Sequence, residues 1–114
     1  MLRKRHRSAS VGGTAAVFAA LGDETRLRLI ARMSDGGPLS IASLAEGFDI
    51  SRQAISKHLR VMSDAGLARS GRRGREAVWQ LEQDGLTEAR RYLQMVAKDW
   101  DDRLRRLKDF VEPR

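Results

Sequence analysis

From Ile50 to Gly66 the chain reads ISRQAISKHLRVMSDAG, a segment marked at both ends as a helix. The Ser51 hydroxyl can accept a backbone N–H left unpaired in the first turn, and Gly66 supplies the left-handed residue that closes the last one. Ile50 before the cap and Ile55 inside the first turn are placed as a hydrophobic staple. At about 100° per residue from Arg52, Val61, Ala54, Ala65, Met62, Ile55 and Leu59 fill an arc from roughly 180° to 340°. Arg52, Ser56, Arg60, Gln53 and Lys57 fill roughly 0° to 140°. One side of such a helix must pack, and the other offers hydrogen-bond donors. The first acid, Asp64, comes only in the last turn, so the N-terminal half can lie against phosphates and base edges without repulsion. Taken alone, a short helix with a basic face is more often a solvated helix than a DNA contact. Its neighbours change that balance.

Pro38 and Leu39 lead to Ser40, a cap for a short helix over Ile41 to Glu46, with Leu39 and Leu44 set as a second staple. Gly47 ends it, and Phe48-Asp49-Ile50 is the turn into the basic helix. Two short helices joined this way, the second one capped and basic, form a helix-turn-helix. Upstream, Gly12 and Gly13 break the chain, and Thr14 caps a helix through Leu21 whose Val17, Phe18, Ala20 and Leu21 need cover. Another helix starts at Asp23 and runs to about Ser34, with Glu24 suited to its positive end. In it Leu27, Ile30, Ala31 and Ser34 have core spacing, Leu29 and Met33 flank them, and Arg26, Arg28 and Arg32 lie mostly outside.

After Gly66 the period changes. Leu67 to Ser70 and Arg75 to Leu81 read as two strands around Gly71-Arg72-Arg73-Gly74, with Ala77, Trp79 and Leu81 alternating with Glu76, Val78 and Gln80. This β-hairpin carries Arg69, Arg72, Arg73 and Arg75 on one small projection. Charge that protects a sheet edge is the plain reading; four arginines against one glutamate favour a DNA-contacting wing. The last helix starts at an Asp84 cap and runs to about Val111. Its Leu86, Ala89, Leu93, Val96, Trp100, Leu104, Leu107 and Val111 are spaced close to a coiled-coil seam. A helix of about 28 residues spans roughly 40 Å, more than so small a domain covers by itself. The seam implies a partner.

The 114 residues suit one domain over 14–112, preceded by a disordered basic arm over 1–13 in which Arg3, Lys4, Arg5 and Arg7 have little to bury. Residues 1–81 hold 14 Lys/Arg against 7 Asp/Glu, 14 − 7 = +7, whereas 82–114 hold 8 of each, so the whole excess of the chain's +7 lies with the helix-turn-helix half. A polyanionic partner there is the expectation. Cysteine is absent, which excludes disulfides and thiolate metal sites and is compatible with a reducing compartment. The longest apolar run, Ala15 to Leu21, is far too short to cross a bilayer.

Together these residues resemble the ArsR family of bacterial winged-helix repressors, in its cysteine-free branch. The resemblance runs from Val17 through the last helix. It is carried by Leu21-Gly22-Asp23-Glu24-Thr25-Arg26-Leu27, by Ile50-Ser51-Arg52-Gln53-Ala54-Ile55-Ser56-Lys57-His58-Leu59, by Ala65-Gly66-Leu67 and by the Gly-Arg wing. It implies a mainly α winged helix-turn-helix with a small β-hairpin, paired as a homodimer through its first and last helices. Val17, Phe18, Leu21, Leu93, Val96, Trp100, Leu104 and Leu107 are the interface residues expected on that basis. The implied DNA contacts are Ser51, Arg52, Gln53, Ser56 and Lys57 on the helix and Arg72, Arg73 and Arg75 on the wing, with Arg60 added from the basic face. His58 falls in the Ser-x-His-Leu segment of the family but near 240° on the wheel, inside the apolar arc, as estimated from the helical period. A half-buried structural histidine is favoured there, with a phosphate contact from the helix edge as the other reading.

Metal sensors of the family use cysteines in the third helix or His/Asp/Glu clusters in the last. Here the third helix reads Ser43-Leu44-Ala45-Glu46-Gly47-Phe48 and the last has no histidine. Carboxylates such as Asp84, Glu88, Asp101 and Asp102 would suit Mg²⁺ or Ca²⁺ rather than softer ions, so no transition metal and no cofactor is expected. The expectation is a dimeric, sequence-specific repressor on an inverted repeat of double-stranded DNA, cytoplasmic and nucleoid-associated in a bacterium. Its rival is a winged-helix protein-docking module without specific DNA binding. Catalysis has no support: no glycine-rich phosphate loop and no nucleophile with a base occur in the sequence.

Overall fold

The computed structural model describes residues 11–112, and side chains from residue 13 onward. In chain order come α1 (Val11–Leu21), α2 (Glu24–Gly36), α3 (Ile41–Ala45), α4 (Arg52–Asp64), β1 (Ala68–Arg73), β2 (Glu76–Leu81) and α5 (Gln83–Val111). The class is the one expected, helices with one antiparallel hairpin. Of the basic arm, residues 1–10 lie outside the described residues. Its last three residues are helical, because α1 runs through Gly12 and Gly13. Thr14 does not cap it; its hydroxyl donates to the Glu88 carboxylate on α5 and so ties two helices together.

Asp23 caps α2 by accepting the Arg26 backbone N–H at 3.0 Å. The helix is rotated from the expected setting: Leu29 and Met33 are buried, while Leu27 is 50 % exposed. Ala31 and Ser34 are too small and too polar to anchor a core, and the i,i+4 pair of large side chains on the other side does so instead. That rotation brings Arg26 and Arg32 into half-buried positions. In α3 the Ser40 hydroxyl accepts the Ser43 N–H. The helix stops at Ala45, and Gly47 makes the turn at φ +82°, a conformation costly for any residue with a Cβ.

Leu29, Leu44, Ile55, Leu59, Met62 and Leu67 form the fully buried centre, with Val17, Ala20, Met33, Ala68 and Ala89 around it. Three of the six come from α4, so the helix with the basic outer face is also the one that holds the core together. Val17, expected at the dimer interface, is 3 % exposed within one chain; it packs into this core and leaves a partner little to cover. Phe18 and Leu21 are half-buried against the same cluster, and Phe18 meets Tyr92 of α5 edge to face at 5.7 Å.

In the hairpin, Ala68 pairs with Leu81 and Arg73 with Glu76, so Gly74 and Arg75 alone form the turn. Gly74 has φ +66° and Arg75 a negative φ, the pattern of a type II′ turn. Arg72 and Arg73 are therefore strand residues, not the loop the glycines at 71 and 74 suggested. The register puts Gly71 opposite Val78, and Val78 is the buried residue of β2 while Ala77 is exposed. Leu39 and Trp79 exchange backbone hydrogen bonds at 2.9 and 2.8 Å, which fastens the hairpin to the start of α3.

Helix α5 begins at Gln83, and Asp84 lies in its first turn rather than at the cap. Backbone contacts set this start: Glu82 N–H donates to Leu67 O at 3.0 Å and Gly85 N–H to Gly66 O at 2.8 Å. At 29 residues the helix is about 43 Å long, and beyond Ala89 only Asp102 is even half-buried.

Candidate nucleic-acid interface

Helix α4 owes its entry to one hydrogen bond, from the Ala54 N–H to the Ser51 hydroxyl at 3.1 Å. Its exit runs through Ala65 and Gly66, where Leu67 N–H donates back to Met62 O at 2.8 Å. Ile55, Leu59 and Met62 face the core, which leaves Arg52, Gln53, Lys57 and Arg60 exposed along the opposite face. Ser56 is half-buried between the two faces and Ser51 is exposed beside its cap. Val61 and Ile50 are also exposed, so the packing arc is narrower than the helical wheel suggested and only the Ile55 half of the staple is buried. Arg52, Lys57 and Arg60 are the cations of α4, and no acid precedes Asp64. Its N-terminus adds the positive end of the helix dipole, so the surface favours polyanions.

The turn before α4 is clamped from α2. The guanidinium groups of Arg28 and Arg32 lie 4.3 and 4.9 Å from the centre of the Phe48 ring. Arg32 also donates to Leu44 O at 2.8 Å and to the Glu46 carbonyl. These arginines, expected to face solvent, hold the α3–α4 turn through cation–π contacts and capping bonds. Arg26 does comparable work elsewhere. Its Nε donates to Ala20 O at 2.7 Å and a terminal nitrogen to Ala19 O at 3.4 Å. The other terminal nitrogen lies 3.1 Å from His58 Nδ1.

His58 is thus held by its neighbours, its side chain 23 % exposed and its Nδ1 3.8 Å from Asp23 Oδ2. An arginine can only donate, so in this contact His58 Nδ1 is the acceptor. The Arg26 backbone N–H, and then the charge of Arg26, hold the Asp23 carboxyl below its ordinary 3.8. On α5 the Asp102 carboxyl is likewise lowered, chiefly by the hydrogen bond from Lys98, with Arg105 adding to it.

The wing arginines do not share one environment. Arg69 pairs with Glu82 at 3.2 Å near the hairpin base, so it is not part of a free tip. Arg73 donates to Pro38 O at 3.2 Å and lies 3.7 Å from Glu76. Arg72 donates to Arg75 O at 3.0 Å across the turn. Arg75, at the turn itself, is exposed. Sequence reasoning missed Arg26 and the Leu39–Trp79 bridge. Arg26 had a signal, because residues 26, 29, 30 and 33 share one helical stripe; the bridge had none, since a single paired residue carries no periodicity.

Among the described residues no group of three or more His, Cys, Asp or Glu is placed to hold a metal ion. No helix of the described residues is long and apolar enough to cross a membrane. A capped basic helix, seated on a helix-turn-helix and followed by a two-stranded arginine-bearing wing, defines the chain as a winged helix-turn-helix protein.

Comparison with known proteins agrees and narrows the class. A family model for a helix-turn-helix domain matches residues 21–70. The HTH-type transcriptional regulator Rv2034 of Mycobacterium tuberculosis is 33 % identical over 97 residues, 75 % of this chain and 90 % of that one. An ArsR-like transcriptional regulator from Rhodococcus sp. RHA1 superposes with a TM-score of 0.78 at 36 % identity, covering 90 % of this chain and 96 % of that chain. The homodimeric winged helix-turn-helix DNA-binding domain Mb0332 of Mycobacterium bovis, with a TM-score of 0.61 at 20 % identity over the whole of both chains, shares the fold. Other relatives carry the word repressor in their names. The chain belongs to the ArsR family of winged helix-turn-helix transcriptional regulators, and it is a DNA-binding regulator rather than an enzyme or a protein-docking module.

Proposed function

We propose that the protein acts as a homodimeric repressor that reads an inverted-repeat operator. One observation carries the dimer: Leu93, Val96, Trp100, Leu104 and Leu107 are all exposed in a single chain, Trp100 to 61 %, at the seam spacing of a two-helix contact. An apolar row of this length on one helix face marks an association surface, and a second copy carries the matching row. The family relationship and the homodimeric Mb0332 support the same arrangement.

In this reading two copies of α4 lie about 34 Å apart and enter successive major grooves on one side of the duplex. Arg52, Gln53 and Lys57 donate to guanine or adenine edges. Ser51, Ser56, Arg60, Arg72, Arg73 and Arg75 fix register on phosphates, and His58 belongs to the support of the helix. Bound across a promoter, such a dimer obstructs polymerase, which is repression. The reading also places the protein in the bacterial cytoplasm on the nucleoid, without a transition-metal effector. The cysteine-free sequence supports that last point, and isothermal titration with Zn²⁺ tests it: tight stoichiometric binding overturns it.

Footprinting on the DNA upstream of the protein's own coding region tests the whole. The expected result is a protected, two-fold symmetric site. Arg52→Ala and Gln53→Ala should each cost about 1–3 kcal/mol on that site and relax its sequence preference. Unchanged preference in both variants means that other residues read the bases.

A further inference from the structure

Among the described residues, Arg26 is the side chain whose hydrogen bonds join a dimerisation helix of the proposed assembly to the DNA-reading helix. From α2 its guanidinium reaches Ala20 O and Ala19 O at the C-terminal end of α1, at 2.7 and 3.4 Å. It also reaches His58 Nδ1 on α4 at 3.1 Å. The α1 end suits a cation: its last turn holds no basic residue of its own and carries the negative end of the helix dipole, and of the two carbonyls only Ala19 O also accepts a loop N–H among the described residues, from Gly22 at 3.2 Å. The backbone of Arg26 is fixed as well, since its N–H donates to the Asp23 cap at 3.0 Å. Both ends of this residue are therefore pinned. A guanidinium holds its donors in one rigid planar fork, so three acceptors on two helices take their mutual positions from it.

We propose that Arg26 is a positioning residue for DNA recognition, fixing the angle of α4 against α1 and thereby the spacing of half-sites that the dimer accepts. The inference rests on the dimeric reading above. Within a dimer clasped through α1 and α5, a small rotation of α4 about its core contacts moves the two recognition helices relative to each other. Contacts to phosphates survive that change better than bidentate contacts to base edges, which demand fixed geometry. Arg26 itself donates inward, to backbone and imidazole, and contributes no phosphate contact.

The test uses the full chain as wild type, Arg26→Ala and Arg26→Lys. Each is titrated against an inverted-repeat duplex, against the same duplex with one base pair added or removed between half-sites, and against a random duplex, over a range of salt. Wild type should prefer the original spacing. Arg26→Ala should lose at least tenfold on the original spacing and bind the shifted duplexes as well as the original. Its affinity for random duplex should stay within about twofold of wild type, with an unchanged salt slope. Arg26→Lys keeps the charge without the fork and should broaden spacing in the same way, which serves if the alanine variant folds poorly. Adding His58→Ala to Arg26→Ala should cost little more, because both residues act through one contact. Retained spacing preference in folded Arg26 variants, or parallel weakening on all duplexes, overturns the assignment. A wild type indifferent to inverted repeats overturns the dimeric operator reading itself, and this inference with it.

Discussion

Gly85 donates its backbone N–H to the carbonyl oxygen of Gly66 at 2.8 Å, so the first turn of α5 sits directly on the end of the recognition helix. There is no room between them for a side chain. A Cβ on Gly85 would lie 2.8 Å from Gly66 O, 2.9 Å from Ala65 O and 2.9 Å from a methyl carbon of Leu67, and two of these neighbours are backbone. Gly85→Ala should therefore destabilise the fold by about 1–3 kcal/mol, the range of an overpacked site, despite alanine's better helix propensity. Calorimetry at fixed protein concentration should show a midpoint lowered by about 4–8 °C per kcal/mol. An unchanged or raised midpoint would mean the two segments part easily.

Ser51 makes a second local prediction. Its hydroxyl accepts the Ala54 N–H at 3.1 Å, and the cap is exposed. Ser51→Ala should cost about 1 kcal/mol, and Ser51→Gly only a few tenths, because glycine allows water and backbone to satisfy the same donors. Urea titration of the two variants measures the ordering, and hydrogen exchange at Ala54 should quicken in the alanine variant. Equal stabilities for the two would assign the helix start to packing of Ile55 instead.

The Asp23 carboxyl gives a pH dependence whose sign can be worked out. Its folded pKa lies below the ordinary 3.8, first because of the Arg26 backbone N–H and then because of the charge of Arg26. A carboxyl lowered on folding adds stability that is complete above the unfolded pKa and disappears as pH falls through the folded one. Wild type should exceed Asp23→Ala in stability at neutral pH, and the gap should close as pH drops below 3.8 toward the folded value. Asp102, lowered by Lys98 and Arg105, titrates in the same region but is common to both proteins and cancels in the difference. Denaturation midpoints from neutral pH down to strongly acidic conditions provide the check. A gap that persists at the acid end would show that the cap acts through packing, not charge.

These cases also show which parts of the fold were legible in the chain. Two caps were, because Ser40 and Ser51 act locally and each satisfies a donor three residues away, whereas Thr14 and Asp84 lie inside the helices they were expected to cap. The two faces of α4 were, because periodicity and burial agree there. On α2 they diverged. Its apolar residues nearly encircle the helix, so the pattern alone could not tell that Leu29 and Met33, rather than Leu27 and Ala31, face inward. That one rotation turned Arg26 and Arg32 from solvated charges into fasteners of the site. The hairpin turn was misplaced by a similar ambiguity: two glycines bracketed it, and only the pairing of Arg73 with Glu76 selects Gly74. Contacts between distant segments, such as Leu39 with Trp79 or Gly85 with Gly66, leave no local trace at all.

The α5 seam can be challenged at Leu104, which is 47 % exposed in the single chain. Full burial of a leucine contributes about 1.5–3 kcal/mol, and a two-fold contact uses it twice. Leu104→Glu should then raise the dimer dissociation constant by at least 100-fold, at about 1.4 kcal/mol per decade. Sedimentation equilibrium reads the constant directly, and helix content by circular dichroism should hold because Leu104 lies outside the buried core cluster. Wild-type and variant chains that sediment alike, both as dimers, would place the interface elsewhere.

The wing separates charge from anchorage. Arg73 is engaged within the chain, donating to Pro38 O at 3.2 Å and lying 3.7 Å from Glu76, whereas Arg75 is exposed at the turn where the hairpin projects farthest from its base. Arg75→Ala should weaken binding to every duplex by a similar factor and lower the slope of log affinity against log salt by about one for each phosphate it no longer neutralises, with stability within about 0.5 kcal/mol of wild type. Arg73→Ala should change the salt slope less and the hairpin more, since removing its guanidinium releases Pro38 and the strand that Leu39 pairs with Trp79. Fluorescence anisotropy across a salt series, run beside thermal melts of both variants, distinguishes the two. An Arg75 variant with an unaltered slope would take the turn out of the DNA contact and leave α4 to account for the binding.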